Sequence, residues 1–500
     1  MPAAPELSPL KRFSVSESAS TPVLKNFIGG RWRPAADGRT FPNEDPAHRG
    51  TVLNLAPAST PADLDAAVEA AAEAWPAWRQ TRVAERQDLI QRFLDLLEAA
   101  REELARIVTR ENGKTLREAR GEVDSALLEG RHHARQVAAF SGTWAPQFSA
   151  ETAAWELLQP LGVVGVISPW NYPLNVMCRK TLPALLTGNT VVFKPASFTP
   201  WSGVFMAQLF EKAGVPPGVF NCVNGGGAVI GNRLVQDRRV RAISFTGSTA
   251  VGRAIQHLAA ANFTRTQLEL GGKNALIVLA DADLDAAVDA AVKAGFGCAG
   301  QWCTSTSRVL LHRDIAADYT ERLRARCAAM RVGDPLAEET DMGPVAGPAQ
   351  FQALTAALAQ ARRDGARLVC GGVADNAEGY YLLPTVFDQV SPAMACFREE
   401  IFGPVLALSA VRNLDEALAW ANDSAYGLSS AVFTRDLDAA LRYVREIEAG
   451  LAHVNIHTGY KTPELPFGGW KDSGFGPPEN GRSGLEFFVE RKAVYVRGAS

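Results

Sequence analysis

Between residues 61 and 105 the apolar positions recur at helical spacing, as in Leu64, Ala67, Val68, Ala71 and Ala72. The start Pro61-Ala62-Asp63 places an acidic group in the first turn, where it complements the helix dipole. A second helical stretch is expected over 116–140, and a short extended piece over 150–158. The run Leu161-Gly-Val-Val-Gly-Val-Ile167 then carries no polar residue, as a strand buried on both faces would. From there the pattern alternates: helix 179–186, strand 190–193, helix 201–213, strand 219–223, helix 229–236, strand 242–245, and a helix from Thr249. Short apolar strands alternating with helices predict a parallel, doubly wound α/β sheet, with ligands at the carboxyl ends of its strands.

Past Gly271-Gly272 the alternation restarts, with strands 275–279 and 308–311 and helices 284–295 and 315–330. A second α/β unit is therefore expected, with the glycine pair near the boundary. Residues 486–496 alternate like a strand after a Gly- and Pro-rich stretch. Together with 142–160 they are expected to offer an edge for pairing with another subunit.

Composition narrows the function classes. A chain of 500 residues suits two or three packed domains. Its net charge of -3 provides neither a basic stripe for nucleic acid nor a polybasic membrane patch. No apolar run approaches the length of a membrane span. Residues 1–21 are rich in Ser, Pro and Ala without an apolar core, so they read as a loose leader and not a secretory signal. The seven cysteines form no CxxC pair, which fits free thiols in a reducing compartment, the cytoplasm by default. The seven histidines are scattered, and His132-His133 point apart on a helix, so no metal site is expected.

Several short segments carry candidate chemistry. Ser168-Pro169-Trp170-Asn171-Tyr172-Pro173 follows a buried strand, and the Asn171 amide suits a developing oxyanion, although the segment also reads as a Pro-punctuated turn. Lys194 closes the next strand and can donate to ribose or phosphate; a solvated strand-end lysine is the plainer alternative. Phe245-Thr246-Gly247-Ser248-Thr249 is a strand, a turn and a helix start whose free N–H groups suit a pyrophosphate, but it is not GxGxxG. Cys303 stands among Gly300, Gln301, Thr304 and Ser305, whereas Cys298 reads as an ordinary buried cysteine. Glu269 lies between Leu268 and Leu270, where burial would raise its pKa into the range of a base; a salt-bridged glutamate is the alternative.

Taken in order, Pro169-Trp170-Asn171, Lys194-Pro195, Phe245-Thr246-Gly247-Ser248, Glu269-Leu270-Gly271-Gly272-Lys273, Gly300-Gln301-Trp302-Cys303, Glu399-Glu400-Ile401-Phe402-Gly403-Pro404 and Pro466-Phe467-Gly468-Gly469 resemble the aldehyde dehydrogenase superfamily over about residues 26–496. The resemblance implies a Rossmann-type cofactor domain (25–141 and 161–270), an α/β catalytic domain (271–483) and a β oligomerisation arm (142–160 and 484–500) behind a leader (1–24). It implies a homodimer or homotetramer acting on a small-molecule aldehyde. Carried over, Cys303 is the nucleophile, Asn171 and the Cys303 backbone N–H form the oxyanion hole, and Glu269 is the base for hydrolysis. Lys194 holds the adenine ribose, Trp170 and Ser248 lie along the pyrophosphate, Glu400 binds the nicotinamide ribose and Phe402 packs beside the nicotinamide. Ser168, Gly225 and Gly247 complete the cofactor set. Retention of Glu269 favours hydrolysis over acyl transfer to coenzyme A.

NAD-preferring members often carry a glutamate where Ser197 stands. A serine can donate to a 2′-phosphate that a carboxylate would repel, so NADP is expected to be accepted beside NAD. On the substrate side, Arg179 occupies a tunnel position where succinate-semialdehyde dehydrogenases place an arginine, and an arginine fork suits a carboxylate. Tyr172 and Lys461 are assigned to the same tunnel. The second arginine of some such enzymes is absent, Gly297 standing there. The expectation is a semialdehyde or other anionic aldehyde; a broad-specificity dehydrogenase for aliphatic or aromatic aldehydes is the alternative.

Overall fold

The apolar runs become strands, and the strands form two large sheets on either side of a cleft. The computed structural model describes residues 21–146, 151–375 and 378–497; most of the expected leader lies outside them. In the first sheet, five strands run parallel in the order Phe220–Cys222, Thr190–Lys194, Val163–Ile167, Val240–Thr246 and Arg265–Glu269. Beyond Phe220–Cys222 the sheet continues through Asn26–Ile28 and Arg31–Arg33. Val163–Ile167 is buried at every position, as a strand covered by helices on both faces must be.

The second sheet takes the order Arg367–Val373, Leu382–Asp388, Val405–Val411, Thr306–His312, Asn274–Val278, Ser429–Phe433, Leu451–Val454. Each sheet has its own apolar core. Gly271-Gly272 falls between the last parallel strand of the first sheet and Asn274–Val278 of the second. One later piece, Gly474–Phe475, returns to pair antiparallel with Leu268 and Glu269 at the edge of the first sheet.

The helical stretch expected over 61–105 is three helices, Pro61–Trp78, Val83–Ala99 and Arg101–Asn112. Its apolar period runs on through the breaks, but Asp63 accepts the Thr60 N–H at 2.8 Å and Glu85 the Arg82 N–H at 3.2 Å, each starting a new helix, and Ala100 leaves helical geometry at ψ 7°. The next helix, Leu116–Gln136, gives way to a 3-10 turn before Phe140. Thr152–Pro160 and Val489–Arg497 pair antiparallel into a two-stranded ribbon, and Trp144 stacks on Trp155 with ring centroids 5.6 Å apart. Among the described residues no helix is long and apolar enough to cross a membrane.

Candidate active site

Parallel register levels the carboxyl ends of the first sheet. Ile167 lies beside Lys194 and Phe245, and Glu269 beside Thr246. The segments that leave those ends, joined by residues from the second sheet, enclose a cavity of about 780 Å³. Ser168, Trp170, Asn171, Lys194, Ser197, Gly247, Ser248, Cys303, Glu400 and Phe402 all line it. Residues 235 positions apart in the chain are thereby brought to one wall, as a strand-end site requires.

One end of the cavity has the donors for a charged dinucleotide. Ser248 caps the helix Thr249–Ala260, accepting from the Val251 N–H, so the positive end of that helix opens at the cavity wall. Lys194 is 4% exposed and is the only lysine or arginine in the cavity lining among the described residues. Burial lowers its pKa to about 8. The hydroxyls of Ser168 and Thr246 are buried on the lining with no hydrogen-bond partner among the described residues. A buried cation and two unpartnered hydroxyls beside a helix N-terminus fit ribose and phosphate oxygens. Glu400 accepts the Gly272 N–H at 2.9 Å, and burial raises its pKa to about 6. A Cβ on Gly271 would stand 2.2 Å from the Glu400 carboxylate and would push it from its place. Phe402 meets Trp170 edge-on at 5.5 Å.

At the other end, Cys303 sits half-buried in a tightly held turn. Cys298, Ala299 and Gly300 take positive φ of 50°, 53° and 68°, and a Cβ on Gly300 would lie 2.1 Å from the Gly403 carbonyl. The Asn171 side chain donates to the Gln301 carbonyl at 2.9 Å. Asn274 donates to the carbonyls of Cys303 at 2.7 Å and Ser305 at 2.8 Å. Burial pushes the Cys303 thiol up to about 12, opposed most strongly by Arg179, while Glu269 acts on it in the same direction as burial. Glu269 ends its strand 4% exposed, with Oε2 unpartnered among the described residues. Burial, then Glu479, holds its carboxyl well above the usual range.

Four of the assigned residues, Arg179, Lys461, Gly225 and Tyr172, are engaged in other contacts. Arg179 is not a free fork: its Nε and one terminal nitrogen pair with Glu129 at 3.0 and 3.1 Å, and its other terminal nitrogen reaches Glu479 at 3.3 Å. At 5% exposure it must be paired, because an unpaired buried guanidinium is too costly. Lys461 is likewise bonded to Glu129, and to Asn175 at 3.1 Å. Gly225 is absent from the cavity lining; its carbonyl accepts the Ser197 hydroxyl at 3.2 Å. Tyr172, also off that wall, lies 3.3 Å from the Cys298 sulfur and stacks on Trp302 at 6.3 Å.

Sequence reading missed the residues behind the wall. Lys114 donates to the Asn171 carbonyl at 2.6 Å and pairs with Glu122 at 2.5 Å, and Glu122 accepts from the Leu174 and Asn175 N–H groups. Lys180 pairs with Glu479 behind Glu269. One signal was available: Glu122 and Glu129 fall on the apolar face of the helix Leu116–Gln136, among Ala119, Val123 and Ala126. Among the described residues no group of three or more His, Cys, Asp or Glu is placed to hold a metal.

The sequence profile described as "Aldehyde dehydrogenase family" matches residues 32–494. Alpha-ketoglutaric semialdehyde dehydrogenase of Bacillus subtilis (strain 168) is 40% identical over 476 residues, which are 94% of this chain and 98% of that protein. Betaine aldehyde dehydrogenase of Cereibacter sphaeroides (strain ATCC 17029) is 40% identical over 482 residues, 95% of this chain and 97% of that one. Among solved structures, an NAD-dependent aldehyde dehydrogenase from Sinorhizobium meliloti superposes with a TM-score of 0.93 at 38% identity, covering 95% of each chain. An NADP-dependent enzyme of E. coli superposes with a TM-score of 0.92 at 34% identity, covering 95% of this chain and 98% of that one.

Proposed function

The chain belongs to the aldehyde dehydrogenase family, and on that footing we propose that it oxidises an anionic aldehyde, a semialdehyde above all, to the acid through covalent catalysis at Cys303. It is an NAD(P)-dependent oxidoreductase. The observation that carries the mechanism is the convergence of Cys303 and Asn171 on one cavity wall. Glu269 is not on that wall, but among the carboxylates it has the largest electrostatic influence on the Cys303 thiol.

In this reading the Cys303 thiol gives up its proton to water and adds to the aldehyde carbon as the thiolate. Negative charge building on the oxygen meets the Asn171 amide and the Cys303 backbone N–H. NAD(P), when bound, supplies the acceptor for the hydride whose loss leaves a thioester. Glu269 takes a proton from the water that attacks this thioester, releasing the acid and the thiol. Burial and Glu479 raise its pKa, which makes it a stronger proton acceptor once ionised. Lys194 and Ser197 accommodate the adenine ribose with or without a 2′-phosphate, so both cofactors are used.

Basic groups close to Cys303 support the substrate class. Arg179, Lys180 and Lys461 face the two carboxylates Glu129 and Glu479, and both Arg179 and Lys461 act electrostatically on Cys303. Such a cluster attracts a distal carboxylate through its field rather than through an open arginine fork. A second reading, broad specificity for uncharged aldehydes, is favoured by the aromatic set Tyr172, Trp302, His457 and Tyr460, whose neighbouring rings lie 6.3 to 6.5 Å apart. The two-stranded ribbon supports a homo-oligomer, because such a ribbon is marginal in water unless further strands or another surface cover it.

Steady-state kinetics on alpha-ketoglutaric semialdehyde, betaine aldehyde and benzaldehyde with each cofactor tests the reading. The anionic substrate is expected to lead in kcat/KM by roughly tenfold or more, about 1.4 kcal/mol. Equal or better use of betaine aldehyde overturns the substrate class. Cys303→Ser is expected to abolish oxidation of every aldehyde; retained activity overturns the mechanism.

A further inference from the structure

The Asn171 amide and the Cys303 thiol belong to different sheets. Asn171 follows the strand Val163–Ile167 of the first, whereas Cys303 precedes the strand Thr306–His312 of the second. An oxyanion site shared by the two needs a contact that sets one side of the cleft against the other. The 2.9 Å bond from the Asn171 side chain to the Gln301 carbonyl, spanning 130 positions, makes that crossing. An amide oxygen turned toward the carbonyl would repel it, so Asn171 presents its nitrogen. The planar amide nitrogen carries a second N–H, and the Asn171 side chain makes no other hydrogen bond among the described residues.

Gln301 is itself fixed from several directions. It is 2% exposed, and its main-chain and side-chain groups are all bonded. Its N–H and its Nε2 both donate to the Cys298 carbonyl, at 3.1 and 3.2 Å, and its Oε1 accepts the Ala346 N–H at 3.0 Å. The preceding N–H, of Val345, is held by the Tyr380 carbonyl at 2.9 Å. The carbonyl that receives Asn171 is therefore anchored on one side by the turn leading to Cys303 and on the other by the chain at Ala346. Lys114 already holds the main-chain carbonyl of Asn171. What Gln301 adds is control of the side-chain amide.

We propose that Gln301 is a positioning residue: it fixes the Asn171 amide on its own carbonyl, leaving the second N–H for the aldehyde oxygen at Cys303. The inference rests on the covalent mechanism at Cys303, in which Asn171 meets the developing charge. The Gln301 side chain matters because its two bonds lock the carbonyl that Asn171 engages. Without them the carbonyl turns away and the Asn171 amide is free to flip. A flipped amide offers its oxygen to the growing negative charge and repels it.

The test is a double-mutant cycle on the full-length enzyme, followed as the single-turnover rate of reduced-cofactor formation. Gln301→Met keeps the length of the side chain and removes both of its hydrogen bonds. It should slow that rate roughly tenfold or more, against a loss on the order of a hundredfold for Asn171→Ala. Added to Asn171→Ala, it should cost no more than about twofold further, because the group it acts through is already gone. Alkylation of Cys303 by iodoacetamide, which builds no oxyanion, should proceed at nearly the parental rate. Gln301→Glu keeps the acceptor for the Ala346 N–H and carries the same cycle should the methionine variant fail to fold. Losses that multiply in the double variant, a parental rate in the Gln301 variants, or an alkylation rate that falls in step with turnover each overturn the proposal. A parental rate in Asn171→Ala overturns the oxyanion assignment itself, and the mechanism beneath the proposal with it.

Discussion

Lys114 is enclosed by Glu122, the Asn171 carbonyl and the ring of Tyr172, whose centroid lies 4.0 Å from its Nζ. A buried cation with one carboxylate partner leaves an uncompensated charge when either member is removed. Lys114→Met is therefore expected to cost about 3–5 kcal/mol in urea unfolding. Lys114→Met with Glu122→Gln should recover much of that, because glutamine is neutral and still accepts from the Leu174 and Asn175 N–H groups. Activity should stay low in both, since the Asn171 carbonyl has lost its donor. Lys194 makes a pH prediction. Its pKa is lowered from 10.5 to about 8, so it is charged below that pH and neutral above it. NADP binding, measured by fluorescence titration, should weaken by up to about tenfold per pH unit above pH 8, and Lys194→Met should flatten that profile. For substrate charge, Lys461→Met removes one of the three basic groups without stripping Glu129 of Arg179. It should raise KM for an anionic aldehyde and leave KM for benzaldehyde nearly unchanged.

Short elements carry the site more than long ones do. The turn that presents Cys303 depends on Gly300, where positive φ and the Gly403 carbonyl leave no room for a side chain. Gly300→Ala is expected to lower the urea midpoint, costing more than about 1 kcal/mol, and to reduce turnover well below what the stability loss explains. Elements with strong periodic signals were legible along the chain. The strands at Val163–Ile167, Thr190–Lys194 and Asn274–Val278 fall within a residue or two of their apolar runs. Helix breaks at Ala100 and near Thr81 were not, because the apolar period crosses them undisturbed and the interruption lies in backbone geometry. Cys303, Asn171 and Lys194 could be picked out because each follows a strand or glycine turn in a short motif. Asn274, which anchors the Cys303 turn, carries no such mark: it opens an ordinary strand.

At the level of the whole molecule, two sheets with separate cores face one cleft, and the ribbon of Thr152–Pro160 with Val489–Arg497 leaves Tyr495 at 74% and Trp144 at 63% exposure. Aromatic exposure of that order on a two-stranded ribbon is expected to be covered by a second copy. Tyr495→Glu with Val496→Glu should shift the sedimentation coefficient toward that of a 53.6 kDa monomer. A particle of unchanged size would mean the ribbon does not hold copies together. Local order along the chain was enough to settle the alternating α/β architecture and to mark out the thiol, the amide and the carboxylate of the site. Periodicity and short motifs are written in neighbouring residues, and they survive without knowledge of what lies opposite. Which charge meets which was beyond such reading. The pairing of Arg179 with Glu129 spans 50 positions and that of Lys180 with Glu479 spans 299. Burial, and with it the free energy of every one of those groups, exists only once distant segments have closed around them.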